Sequence, residues 1–173
     1  LGQRGVDCVF FFFCLMIRRP PRSTPCPCTT LFRSDDNLSG PDKDKFLDWI
    51  ELHNPTDHDI TLNGWSLTDK SDHSTRWYFP DIQIESGQYL VVMASGLNRR
   101  DPRFPLHTNF RLKASGEYLA LLNNDDPPEA VSQIGPKPPA QSAFYSYGLH
   151  DNTQLYTFLS PSTPGRSNRD AKS

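Results

Sequence analysis

The sequence predicts an all-β domain built as a sandwich of packed sheets, and three observations carry that expectation. From Leu47 onward, short runs rich in β-branched, leucine and aromatic residues recur at roughly the 8–12-residue spacing of sandwich strands. Between them stand clusters of turn formers: Asn54-Pro55-Thr56-Asp57, Asn63-Gly64, Ser86-Gly87, Ser115-Gly116 and Asn123 to Pro128. No segment holds apolar residues at helical spacing over the ~10–12 residues that a helix needs.

Taken in order, Leu47 to His53 alternates, with Ile50 and Leu52 on one face and Glu51 and His53 on the other, as in a strand half buried on a sheet. Ile60, Leu62 and Leu67 resume the buried face. Gly64 is placed for a bulge or a positive φ, and Trp65 reads as a core aromatic whose indole N–H needs a backbone partner. Thr68 to Thr75 is a polar loop. Arg76 to Phe79 makes a short aromatic strand that Pro80 ends or confines to an edge. Ile82 and Ile84 follow, and Tyr89 to Ala94, the most continuously apolar run, is expected to be central. Leu97 to Pro105 is a basic, proline-containing loop. His107 to Leu112, Glu117 to Leu122, Ala130 to Ile134, Phe144 to Gly148 and Tyr156 to Leu159 complete the strands, with a proline-rich loop from Gly135 to Pro139.

The first 34 residues have a different character. All four cysteines lie there (Cys8, Cys14, Cys26, Cys28), with five arginines against the single Asp7. The remaining residues carry thirteen bases against nineteen acids, a net of −6. Such a body has no clustered basic face for a phosphate backbone, which argues against nucleic-acid binding. The apolar run from Cys8 to Ile17 is too short for the ~20 residues of a spanning helix. Arg18-Arg19-Pro20-Pro21-Arg22 stands where a signal peptide would carry small residues. Met16 to Ser34 instead resembles the conceptual translation of a sequencing-library adapter, departing from it only at Pro25 to Cys28, where the adapter reads Leu-Phe-Pro-Tyr. That resemblance implies a non-native leader over residues 1–34, disordered or non-specific, and native coding sequence from Asp35.

Residues 35–46 form a polar loop whose acids, Asp35, Asp36, Asp42 and Asp44, lack the order of a calcium loop. Cys26-Pro27-Cys28 has no second pair or nearby histidine to complete a zinc site. No metal or cofactor is expected.

Residues 47–168 resemble the lamin tail domain, with 169–173 as a tail. The resemblance rests on Asp48-Trp49-Ile50-Glu51-Leu52-His53-Asn54, Leu62-Asn63-Gly64-Trp65-Ser66-Leu67, Phe79-Pro80 leading to Ser86-Gly87-Gln88-Tyr89-Leu90-Val91-Val92, Leu112 to Leu121, and Pro161-Ser162-Thr163-Pro164-Gly165-Arg166-Ser167-Asn168. It implies an immunoglobulin-like β-sandwich of the bacterial type, a module of a larger secreted or cell-envelope protein with further domains. It also implies that the family's first strand is missing here, its place taken by the leader, so that the sheet edge beside Leu47 to His53 is unpaired.

Catalytic constellations are not evident. His53, His58, His73, His107 and His150 read as surface histidines, and the chain has neither a nucleophile elbow nor a His-Glu-x-x-His pattern. Asp48 and Glu51 fall on opposite faces of one strand and cannot converge on a glycosidic bond. What remains is a binding surface: Trp77 and Tyr78, with Trp49 and Tyr145 to Tyr147 as further aromatics, beside Arg99, Arg100 and Arg103 on the Leu97 to Pro105 loop. The expected role is a non-enzymatic interaction module for a cell-surface protein or glycan, with a carbohydrate-binding module appended to an extracellular enzyme as the alternative.

Overall fold

The computed structural model describes residues 14–16, 48–113, 115–135, 145–150, 152–153, 155–160 and 162–170. The acidic loop over 35–46, the Cys26–Cys28 pair and the proline-rich segment 136–144 lie outside the described residues. Among the described residues are twelve short strands: β1 (Cys14–Met16), β2 (Trp49–His53), β3 (Ile60–Thr61), β4 (Ser66–Thr68), β5 (Trp77–Tyr78), β6 (Gln83–Ile84), β7 (Tyr89–Met93), β8 (Leu106–His107), β9 (Leu119–Leu122), β10 (Ala130–Ile134), β11 (Ser146–His150) and β12 (Leu155–Leu159). They make a six-stranded sheet in the order β12-β11-β1-β2-β7-β8, a four-stranded sheet β10-β9-β4-β5, and the pair β3-β6.

The core joins inward residues of all three sheets. Ile50 and Leu52 of β2, Val92 of β7 and Leu106 of β8 meet Leu67 of β4, Trp77 of β5, Leu119 and Leu121 of β9 and Ile134 of β10, with Ile60 and Ile84 from the small pair. Each such side chain, fully buried, stabilises the fold by about 1.5–3 kcal/mol relative to exposure. Every residue of β9 is buried, as in the shorter β4 and β8. Tyr89 to Met93 is paired on both sides; Val92 is fully buried and the other four residues are partly buried.

Punctuation falls where turn chemistry put it. Gly64 has φ 80°, a left-handed conformation that suits glycine, and a Cβ there would meet Asn124 Cβ at 2.9 Å. Asn54 is fully buried and organises its turn: Nδ2 donates to the carbonyls of His58, Ile84 and Glu85, while Oδ1 accepts the Thr56 N–H and hydroxyl. β5 lies at the edge of its sheet, as Pro80 requires. Trp65 is only partly buried against the core, and Trp77 is the fully buried indole.

Two expectations need correction. The edge beside β2 is not open: β1 pairs antiparallel with Trp49 to Glu51 on one side and with Ser146 to Gly148 on the other. Strand pairing runs through backbone N–H and C=O groups, so a short β-compatible run can fill the slot whatever its origin. β2 is therefore an interior strand. Nor is β2 half exposed. Trp49 and Glu51 are buried on the face opposite Ile50, where Trp49 and Leu159 form a second apolar cluster with Val91 and Met93. The C-terminal turn is fastened to this outer face. The Gly165 N–H donates to the Glu51 carboxylate, Asn168 Nδ2 donates to the Leu149 carbonyl at 2.9 Å, and the Thr163 hydroxyl donates to Asn168 Oδ1 at 2.7 Å.

Candidate functional site

The connection from β7 to β8 joins parallel strands, so it must cross over rather than turn back as a hairpin. It does so through residues 94–105, and its base is locked. Ser95 Oγ and His107 Nδ1 share a hydrogen bond of 2.8 Å, Ser95 Oγ also accepts the Leu97 N–H, and Arg111 Nε donates to the Ser95 carbonyl at 2.7 Å. Backbone bonds then zip the arms: the Asn98 N–H to the Thr108 carbonyl and the His107 N–H to the Arg99 carbonyl, each at 2.9 Å. A serine and a histidine at this distance invite a nucleophile–base reading. Ser95 is 3% exposed and His107 2%, so neither atom is open to a substrate, and the pair closes the loop instead. The histidines are thus not all on the surface, since His107 and His150 are both buried.

The tip is cationic and aromatic. Phe104 is 41% exposed, and the guanidinium carbons of Arg99 and Arg103 lie 6.0 and 5.9 Å from its ring centroid, within cation–π range. Arg103 grips Asp101 through Nε and Nη2, the shortest contact being 2.6 Å, and its backbone N–H also donates to Asp101 Oδ1. The Arg103 hydrogen bonds, from side chain and then backbone, bring the Asp101 pKa down to about 2. Unfolded, that carboxyl titrates near 4. Its stabilising contribution is accordingly present above that value and disappears as the pH falls toward 2. Carboxyl-carbon NMR should place the Asp101 midpoint near 2, and Arg103→Ala should return it toward an ordinary value; an unshifted midpoint in the wild-type chain would remove the pair.

Of the residues predicted as a ligand surface, Arg99, Arg100 and Arg103 do share this loop, and Tyr78 is exposed on β5. Arg100 Nη2 donates to the Phe79 carbonyl at 3.1 Å, which ties the loop to the end of β5. Trp77 does not belong to the surface: at 1% exposure it lies in the core, and Trp49 is buried in the outer cluster. Sequence reasoning missed Phe104 and Leu97, both exposed. The signal was available in Arg103-Phe104-Pro105, an aromatic between an arginine and a proline in a loop, where no alternating face exists to bury it. Among the described residues no group of His, Cys, Asp and Glu is arranged to hold a metal ion, and no helix is long and apolar enough to cross a membrane.

Two main sheets packed together with a two-stranded pair, strands of two to five residues, and inward side chains from each closing one core define an immunoglobulin-like β-sandwich. The match to a known family is specific: the Lamin Tail Domain profile aligns with residues 34–137, and the chain belongs to that family. The matched region runs from before β2 to just past β10 and contains the 97–105 loop. Comparison with the curated proteins finds no match.

Proposed function

We propose that this chain is a non-enzymatic interaction module of a larger secreted or cell-envelope protein of bacterial type, engaging a partner through the β7–β8 loop. One observation carries the reading: the Ser95–His107 pair is spent on closing the loop's base, while the tip it supports holds exposed Phe104, Leu97 and arginines in a fixed arrangement. Sandwich loops held by a rigid frame are where recognition normally sits. A panel of chromogenic ester, glycoside and peptide substrates should give no turnover. Turnover abolished by His107→Ala in a chain that still folds would overturn the reading. Native codons on both sides of the gene should encode an export signal and neighbouring domains.

The carbohydrate-binding alternative has one observation in its favour, and it is not Trp77. On the β11–β12 hairpin, Tyr147 stacks on Tyr156 at 6.0 Å, and Tyr145 and Tyr147 meet Phe158 edge-on at 6.5 and 5.3 Å. Tyr145 and Tyr156 are exposed, so the hairpin offers aromatic surface against which a sugar ring could pack. A glycan array separates the two: a blank array supports the interaction module, and binding lost with Tyr156→Ala at unchanged thermal midpoint supports the alternative.

A further inference from the structure

We propose that the tip of the 97–105 loop is a docking site for an acidic peptide segment of a partner protein, one in which carboxylates alternate with apolar side chains. This rests on the interaction-module reading above and names the chemistry of its partner. The loop carries Arg99, Arg100 and Arg103 against Asp101, a net of +2 on a body of −6. A positive tip on a negative body selects an acidic partner, steers its approach, and repels the general surface of a basic one. Leu97 and Phe104 are exposed beside those charges, so the tip also offers an apolar contact that only an apolar group can satisfy.

The same residues argue against a simple polyanion. Asp101 sits between the arginines and already occupies the Arg103 fork. A densely charged chain, such as a sulfated glycan, would meet that carboxylate head-on and would leave Phe104 and Leu97 without a counterpart. A peptide can place a carboxylate on Arg100, which is exposed, and an aliphatic or aromatic side chain on the Phe104 ring. Order at the tip favours this. The Asn98–Thr108 and Arg99–His107 backbone bonds, and the turn closed by the Phe104 N–H on the Asp101 carbonyl, are already made, so little conformational freedom remains to be lost on binding.

The test uses the full chain and four fluorescein-labelled probes: short peptides alternating Asp or Glu with Leu or Phe, the same peptides with Lys in place of the acids, Glu-only peptides, and a heparin-derived oligosaccharide. The acidic, apolar peptides should bind with a dissociation constant of roughly 10–100 μM, weakening as salt is added. The Lys peptides should not bind, and the Glu-only peptides should bind about tenfold more weakly. Phe104→Ser should weaken binding about tenfold with the thermal midpoint unchanged, and Arg103→Glu about tenfold with the midpoint lowered only by the loss of the exposed Asp101 pair, the fold remaining cooperative. Should Phe104→Ser unfold the chain, Arg103→Glu carries the test, since that side chain is 81% exposed. Equal or tighter binding of the Glu-only or heparin probe, no binding of any peptide, or self-association in sedimentation that Arg103→Glu abolishes would each overturn the proposal. With the substrate panel still blank, such a failure removes the acidic-peptide partner and leaves the module; turnover in that panel would remove both.

Discussion

Replacing Glu51 by alanine lowers the stability of the domain by about 3 kcal/mol, because it strips a buried acceptor from a backbone donor more than a hundred residues away in sequence. Glu51 is 2% exposed, and its carboxylate accepts the Gly165 N–H. Alanine leaves that N–H without its acceptor and opens space beneath the turn that Asn168 and Thr163 otherwise hold against β11. The thermal midpoint should fall by roughly 10 °C for a domain of this size. Glu51→Gln keeps an acceptor oxygen for Gly165 but loses the charge that strengthens the bond, so its cost should be nearer 1 kcal/mol. Circular dichroism on melting measures both. Hydrogen exchange distinguishes a fastening role from general destabilisation: in Glu51→Ala the Gly165 and Arg166 amides should exchange faster than those of β9 under conditions where the fold is intact. Equal protection of the two regions would show that the C-terminal turn does not depend on Glu51.

The burial of Glu51 depends on a segment far away in sequence, whereas the strands depend on local pattern. The strands were legible because alternation and turn residues are local: Ile50 and Leu52 do face the core, Gly64 does take a positive φ, and Ala130 to Ile134 pairs beside Leu119 to Leu122. The outer face of β2 was not legible. Glu51 and His53 alternate with apolar residues as solvent-facing positions do, and what buries Glu51 is a turn whose contact spans 114 positions. The same distance effect hid the role of His107, whose partner Ser95 lies across the loop it closes. β1 was illegible for another reason. Its pairing is a property of backbone groups, to which the adapter-like character of Met16 onward is irrelevant. At the candidate site the arginines were visible as charge in a loop, while Phe104, though flanked by Arg103 and Pro105, was passed over because an aromatic residue in a strand-rich sequence is expected in the core. The reverse error befell Trp77, grouped with the other aromatics as a platform beside the arginine loop, whereas its register opposite Leu67 puts it inside.

Trp77→Ala is accordingly a core substitution, and its expected cost is about 3–5 kcal/mol from lost burial and the cavity left between the sheets. The indole packs edge-on against Phe79 at 4.9 Å, within the cluster that includes Leu67, Leu119 and Leu121. Any ligand binding lost in that variant would report unfolding rather than a missing platform. Trp77→Phe should behave very differently. Trp77 Nε1 is buried with no hydrogen-bond partner among the described residues. A buried donor left unsatisfied costs about 1–3 kcal/mol, and phenylalanine removes it together with part of the ring. The relief and the smaller cavity oppose each other, so Trp77→Phe should lie within about 1 kcal/mol of the parent chain. Urea midpoints of the three proteins, compared at constant m-value, decide the matter. If Trp77→Phe is as unstable as Trp77→Ala, the indole N–H has an acceptor and its burial is favourable. If it matches the parent, shape rather than polarity fixes the aromatic at this position of β5.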